Sequence, residues 1–170
     1  MSTFDPERIL KALARRQVRY VLIGASAARL QGFPRLTADA DITPARDADN
    51  LERLAAALRD LEARVYTESI PEGLPFSCDP RTLSSARVWN LITDAGRLDV
   101  IFEPSGTRGY DDLAASAVTF EAFGLEVRAA SLEDILRSKL ASNRPQDQQD
   151  AITLIEMLKH RTRAPDDRRG

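Results

Sequence analysis

Ala38-Asp39-Ala40-Asp41-Ile42-Thr43 reads as a β-strand with two carboxylates on one face. Residues i and i+2 of an extended chain share a face, so Asp39 and Asp41 point one way while Ala38, Ala40 and Ile42 point into a core. Two like charges several Å apart repel by roughly 2–4 kcal/mol at an effective dielectric near 20, and a divalent cation turns that repulsion into attraction. The spacing alone decides little. The chain has a second Asp-x-Asp pair, Asp47 and Asp49, and its composition produces about that many by chance. That second pair lies at a helix start, where capping explains it.

Upstream, Asp5-Pro6 opens a helix with Asp as N-cap and Pro in the first turn, and Ile9, Leu10 and Leu13 carry its apolar stripe to about Arg16. Residues 19–23 form a short apolar strand. Gly24-Ala25-Ser26 follows, then a short helix from Ala27 to Leu30, ended by Gly32. Downstream, Asp49 and Glu52 resemble a capping box. They open a helix with the stripe Leu51, Leu54, Leu58, Leu61 and Val65.

Pro71, Gly73, Pro75 and Pro80 punctuate residues 67–86, predicting a loop with one helical turn. Val88–Thr93 and Arg97–Phe102 flank Asp94-Ala95-Gly96 and predict a hairpin. A short helix near 109–115 precedes strands at 117–122 and 125–129, joined at Phe123-Gly124. Ser131 with Asp134 caps a helix over 131–142, and a last helix runs from about 146 to 159 with Ala151, Leu154, Ile155 and Leu158 on its stripe. The alternation predicts an α/β (α+β) fold, a mixed sheet flanked by helices with a helical C-terminal part. No repeat or linker divides the chain, so residues 1–160 are read as one domain and 161–170 as a flexible tail.

The chain has 170 residues, a mass of 18.8 kDa and a formal net charge of −2, so no overall basic field draws nucleic acid. A local basic surface could come from Arg15, Arg16 and Arg19 with Lys159, Arg161, Arg163, Arg168 and Arg169; a solvated charged face is the alternative. One cysteine, Cys78, excludes an internal disulfide and a cysteine zinc cluster, and one histidine, His160, excludes a multi-histidine metal site. Both, like Trp89, read as packing or surface residues. Metal binding is left to carboxylates, which suit hard cations such as Mg²⁺. No signal peptide or membrane-length apolar run is seen, so the expected location is cytoplasmic.

Four further features carry potential chemistry. Asp99 interrupts Leu98-Asp99-Val100-Ile101-Phe102, a run otherwise apolar on both faces and expected to be central and covered. A buried carboxylate needs a cation or strong donors; an ion pair with Arg35 or Arg97 is the alternative. Gly24-Ala25-Ser26, between strand and helix, is small enough for a phosphate to approach backbone N–H groups, although such turns often carry Gly for steric reasons alone. Lys139 continues the stripe of Leu132, Ile135 and Leu136, where Leu is expected, and either snorkels or aims a cation into a cleft. Asp147 falls on the stripe of the last helix, to cap it, to pair with Lys139, or both. Arg144 lies between them.

This ordered set resembles the nucleotidyltransferase superfamily of DNA polymerase β-like fold, in particular small bacterial members related to type IV abortive-infection toxins. The likeness rests on Val21-Leu22-Ile23-Gly24-Ala25-Ser26, on Pro34-Arg35-Leu36-Thr37-Ala38-Asp39-Ala40-Asp41-Ile42, and on Leu98-Asp99-Val100. It continues through Ser131-Leu132-Glu133-Asp134, Lys139, Arg144-Pro145-Gln146-Asp147 and Asp150. In two places the chain departs from the pattern. Ala25 stands where the family has a second Gly or a Ser, and Ala tolerates positive φ poorly; Gln146 replaces a basic residue.

The resemblance implies transfer of a nucleoside monophosphate from an NTP to an acceptor hydroxyl. It implies two Mg²⁺ ions, or Mn²⁺, on Asp39, Asp41 and Asp99, with Asp99 also deprotonating or positioning the attacking hydroxyl. Gly24 and Ser26 would bind phosphates, Lys139, Arg35 and Arg144 would neutralise the triphosphate, and Asp147 would orient Lys139. The resemblance leaves the acceptor open: related toxins modify tRNA ends, other relatives modify small molecules such as antibiotics, and some modify proteins. With tRNA or another RNA as acceptor, it implies an antitoxin protein as partner. Two rival readings stand beside it. One is a catalytically weak module of the same fold that binds a nucleotide or a partner protein. The other is an unrelated α/β structural domain with surface acids.

Overall fold

The computed structural model describes residues 3–163. In chain order the elements are α1 (Pro6–Arg15), β1 (Tyr20–Ile23), α2 (Gly24–Leu30), β2 (Asp39–Pro44) and α3 (Ala48–Asp60). Next come β3 (Arg64–Thr67), β4 (Ile70–Leu74), α4 (Pro80–Ser84), β5 (Val88–Thr93) and β6 (Gly96–Ile101). The chain continues through α5 (Tyr110–Ser116), β7 (Val118–Ala122), β8 (Leu125–Ala129), α6 (Leu132–Ser142) and α7 (Pro145–Arg163).

The eight strands form one mixed sheet in the order β4-β3-β5-β6-β2-β1-β8-β7. β2 pairs with β1 antiparallel and with β6 parallel, which makes it the hinge between the two halves of the sheet. Alternation decides which residues reach the site. Along β6, Gly96, Leu98 and Val100 are buried while Arg97, Asp99 and Ile101 are half-buried on the opposite face. Along β2, Ala40 and Ile42 are buried while Asp39 and Asp41 are half-buried. One face therefore closes over α1 and α3, whose Ile9, Leu13, Leu54 and Leu58 are fully buried with Leu98 and Val100. The other face stays open over the acids.

The N-terminal end of α3 is fixed by polar groups. Asp47 is its N-cap, accepting from the Asn50 backbone N–H at 3.0 Å. The fully buried Asn50 amide donates to the Arg19 and Ala45 carbonyls at 2.9 and 2.8 Å and accepts from the Arg19 N–H at 2.7 Å. This clamp ties α3 to the ends of β1 and β2.

Several expectations are corrected. The cap of α3 is Asp47, not the Asp49–Glu52 box. The helix stops at Asp60 because Glu62 turns the chain at φ 52°, so Val65 belongs to β3 rather than to the helical stripe. Residues 67–86 are not only a loop: β3 and β4 pair as a hairpin, with one helical piece, α4, behind them. Pro71 and Gly73 are tolerated there because β4 is an edge strand with a free side. Ala38 is exposed, lying one residue outside β2. β6 is central but covered on one face only, which is how Asp99 escapes full burial. The last helix runs on to Arg163, and Ile155 on it is exposed. The rest of the expected tail, Arg168 and Arg169 included, lies outside the described residues.

Candidate active site

Parallel register brings the three acids together: Asp41 of β2 stands directly opposite Asp99 of β6, and Asp39 opposite Arg97. One carboxylate oxygen from each of Asp39, Asp41 and Asp99 lies within 4.8 Å of the others. Thr37 Oγ donates to Asp39 at 2.9 Å and fixes that carboxylate from outside the strand. Burial, then the charges of Asp39 and Asp99, push the Asp41 carboxyl up to about 7. Burial also raises Asp99, against the pull of the Arg97 guanidinium, whose Nη2 donates to it at 3.3 Å. Three carboxylates gathered side by side, with only oxygen donors among them, fit a hard divalent cation.

β1 delivers Gly24 against this cluster. Gly24 has φ +63°, and a Cβ placed there would sit 2.7 Å from Asp41 Oδ2. Only glycine suits both the backbone and the contact. The positive φ falls on Gly24, while Ala25 lies inside α2 without one. The Ala25 departure therefore does not distort the turn. Ser26 is engaged elsewhere: its hydroxyl donates to the Ile23 carbonyl at 3.1 Å, and it is absent from the cleft wall.

The opposite wall comes from α6 and α7. Ser131 caps α6, accepting from the Asp134 N–H at 3.2 Å, and buried Leu132 and Ile135 seat the helix. That seating turns Lys139 inward rather than toward solvent. Its ammonium donates to Asp147 at 3.2 Å and to Asp150 at 3.0 Å. Both acids are almost fully buried on α7. Arg35 makes a two-point contact with Asp150 at 3.1 and 2.7 Å, and Arg144 donates to Asp147 at 2.8 Å. Ser142 and Gln146 complete the network through Asp147 and Asp150 respectively. Its donors hold both carboxyls below the usual carboxylate range against their burial.

A cleft of about 1060 Å³ joins the two walls. Its lining includes Gly24, Arg35, Asp39, Asp41, Asp99, Lys139, Arg144 and Asp147. Apart from Ser26, every residue to which the resemblance gives a catalytic, metal-holding or phosphate-binding role lines this one cleft. Thr37 and the pairing role of Asp150 were not assigned from sequence; Thr37 lies two residues before Asp39, the strand period that would have placed it beside that acid. Of the two ion-pair partners the sequence offered Asp99 as an alternative, Arg97 is the one that pairs with it, while Arg35 pairs with Asp150. The arginines considered for a phosphate surface are partly committed: Arg16 pairs with Asp60 and Arg19 with Asp47.

No family model matches the sequence, and no curated protein matches it. Solved structures do. A lincosamide antibiotic adenylyltransferase, LnuA, solved with lincomycin bound, superposes with a TM-score of 0.58 at 15% identity, covering 91% of this chain and 99% of its own. The antibiotic-resistance factor ANT(2'')-Ia superposes at 0.53 with 21% identity, over 90% of this chain and 82% of its own. This is the nucleotidyltransferase fold. A candidate nucleotidyltransferase from Thermotoga maritima agrees, at 0.51 and 20% identity, over 92% of this chain and 96% of its own. In this nucleotidyltransferase fold the cleft lies on the open face of the sheet, beside the junction of β2 with β6. Among the described residues no helix is long and apolar enough to cross a membrane.

Proposed function

We propose that the chain is a metal-dependent nucleotidyltransferase that moves a nucleoside monophosphate from an NTP to an acceptor hydroxyl. The observation that carries this reading is the convergence of Asp39, Asp41 and Asp99 from two strands, beside Gly24 and in one cleft with Lys139. The three acids would hold Mg²⁺, or Mn²⁺, in up to two ions. A metal held there would supply positive charge to the phosphates and to the attacking and leaving oxygens.

The remaining work falls to this chain's own side chains. Gly24 lets the β/γ phosphates approach the turn before α2. Lys139, Arg35 and Arg144 supply positive charge to the triphosphate, and Asp147 and Asp150 keep those cations in place before substrate arrives. Asp99 accepts the proton of the acceptor hydroxyl as its oxygen bonds to the α-phosphorus. The bond from that phosphorus to the bridging oxygen breaks, and pyrophosphate leaves. Gly24 carries the positive φ that Ala25 would tolerate poorly, which supports a competent enzyme over a weak binding module.

The resemblance leaves tRNA, a small molecule or a protein as acceptor. The cleft itself favours a small neutral or cationic hydroxyl compound. Beyond Arg35, Lys139 and Arg144 its lining has no Arg or Lys, and it adds Glu103, which has no ion-pair partner among the described residues. A polyanion entering that side meets repulsion. The test is transfer from four α-labelled NTPs with Mg²⁺ or Mn²⁺ to total tRNA, small RNA, lysate protein, and a lincosamide and an aminoglycoside as small acceptors. Label is expected on an acceptor with wild type and not with Asp41→Asn or Asp99→Asn. Label that never leaves the NTP, or variants as active as wild type, overturns the reading. If tRNA is the acceptor, the role is toxin-like and calls for an antitoxin partner; induction should then arrest growth with wild type and not with Asp41→Asn.

A further inference from the structure

We propose that Arg97, parked on the Tyr66 ring, is a built-in counter-ion for Asp99 whose contact with that acid a divalent cation at the cluster must break. This rests on the metal-site reading above and adds a residue that the reading leaves unused.

Arg97 holds Asp99 more loosely than the two forked arginine–aspartate pairs among the described residues. Arg16 meets Asp60 through Nε and Nη2 at 2.7 and 2.9 Å. Arg35 meets Asp150 through the same two atoms at 3.1 and 2.7 Å. Such forks use both carboxylate oxygens and are the strong form of the contact. Arg97 reaches Asp99 with Nη2 alone, at 3.3 Å, while its Nε is buried without a hydrogen-bond partner. A buried donor left unmade is destabilising. The guanidinium is held instead by a ring: its carbon lies 3.6 Å from the centroid of Tyr66 on β3.

This geometry is that of a cation kept near an anion without being locked to it. Arg97 shares the open face of β6 with Asp99, and its neighbours in register are Asp39 on β2 and Ile92 on β5. The positive charge therefore lies at the end of the acid cluster, where it offsets repulsion in the metal-free protein. An arriving cation takes the Asp99 oxygen, and Arg97 keeps its seat on Tyr66. The same positive charge repels the incoming metal. The cluster alone should then bind divalent ions weakly and fill when nucleotide phosphates bring further negative charge.

The test is Mn²⁺ binding to the whole chain at fixed pH, read by electron paramagnetic resonance. Arg97→Gln should bind Mn²⁺ about three- to tenfold tighter than wild type, because a repelling charge within a few Å is gone. Arg97→Lys, which restores the charge, should return affinity to within about twofold of wild type. Tyr66→Leu, which frees the guanidinium to leave, should fall between. A merely structural Arg97 would lower the melting temperature without tightening Mn²⁺. Equal or weaker binding by a folded Arg97→Gln overturns the proposal while leaving the metal site intact. If Arg97→Gln does not fold, Tyr66→Leu with unchanged affinity overturns it. Absence of Mn²⁺ binding in wild type and variants alike overturns the metal-site reading and this inference with it.

Discussion

Asp41 and Asp99 stand directly opposite one another across the parallel pairing of β2 and β6. That register, rather than either motif alone, makes the site. A one-residue slip of β6 would turn Asp99 to the covered face and place Leu98 or Val100 in the cleft.

The closeness of these acids predicts a proton-coupled metal site. Asp41 is raised to about 7 by burial, Asp39 and Asp99, so in the metal-free fold it holds a proton that the unfolded chain releases near 4. A raised carboxyl stabilises the fold below its unfolded pKa, and that contribution is lost as pH rises through 7. Metal-free wild type should therefore lose stability between about pH 4 and 7, on the order of 4 kcal/mol from this group. Asp41→Asn should lack that loss and melt higher than wild type at pH 8 without metal. Mg²⁺ competes with the proton, so its stabilisation of wild type should be larger at pH 8 than at pH 6 and absent in Asp41→Asn. Thermal melts across this range, with and without Mg²⁺, check each statement.

Gly24 and Ala25 should respond in opposite ways. Gly24→Ala adds a methyl group 2.7 Å from Asp41 Oδ2 at a φ of +63°. Strain of about 1–3 kcal/mol and a displaced carboxylate should lower the melting temperature and abolish the Mg²⁺ shift. Ala25→Gly touches no positive φ, so it should cost only about 1 kcal/mol of helix stability and keep the shift. Paired melts of the two variants show which residue makes the turn.

Removing the Asn50 amide should damage the fold without touching the chemistry. Asn50→Ala leaves the Arg19 N–H and the Arg19 and Ala45 carbonyls without this partner beneath α3. The expected loss is about 2–4 kcal/mol. Urea unfolding should show it, with Mg²⁺ binding to the folded fraction unchanged because Asn50 lies away from the cleft wall.

The strands that carry the acids were legible because their signals are local: apolar runs interrupted at a period of two, and a Gly at the turn. The Asp94-Ala95-Gly96 hairpin was legible for the same reason. The β3–β4 hairpin was not. Its residues are partly exposed at the sheet edge, so no buried face imposes alternation, and Pro71 and Gly73 read as breakers where an edge strand accepts them. Val65 fits a helical stripe by spacing, and only the left-handed turn at Glu62 removes it. The Arg97–Tyr66 stack joins strands separated by β5, a proximity that no local pattern encodes.

The network around Lys139 should show strong non-additivity. Its ammonium is the shared donor to Asp147 and Asp150, both nearly inaccessible to water. Lys139→Met leaves two buried carboxylates short of a cation, with Arg144 and Arg35 still attached to one each. Breaking a buried pair in this way costs about 3–5 kcal/mol. Removing the acids as well, in Lys139→Met with Asp147→Asn and Asp150→Asn, should cost less than the sum of the single changes by about 1–3 kcal/mol. Acid should act in the same direction. Asp147 and Asp150 have lowered pKa values, so their contribution is present above the ordinary carboxylate range and is lost as pH falls below it. The triple variant should therefore lose less stability than wild type between about pH 5 and pH 3. Nucleotide binding separates this scaffold role from a direct one. If Lys139 also contacts the triphosphate, the triple variant will stay folded at neutral pH and bind NTP at least about tenfold more weakly. Unchanged affinity in that folded variant would confine Lys139 to holding α6 against α7.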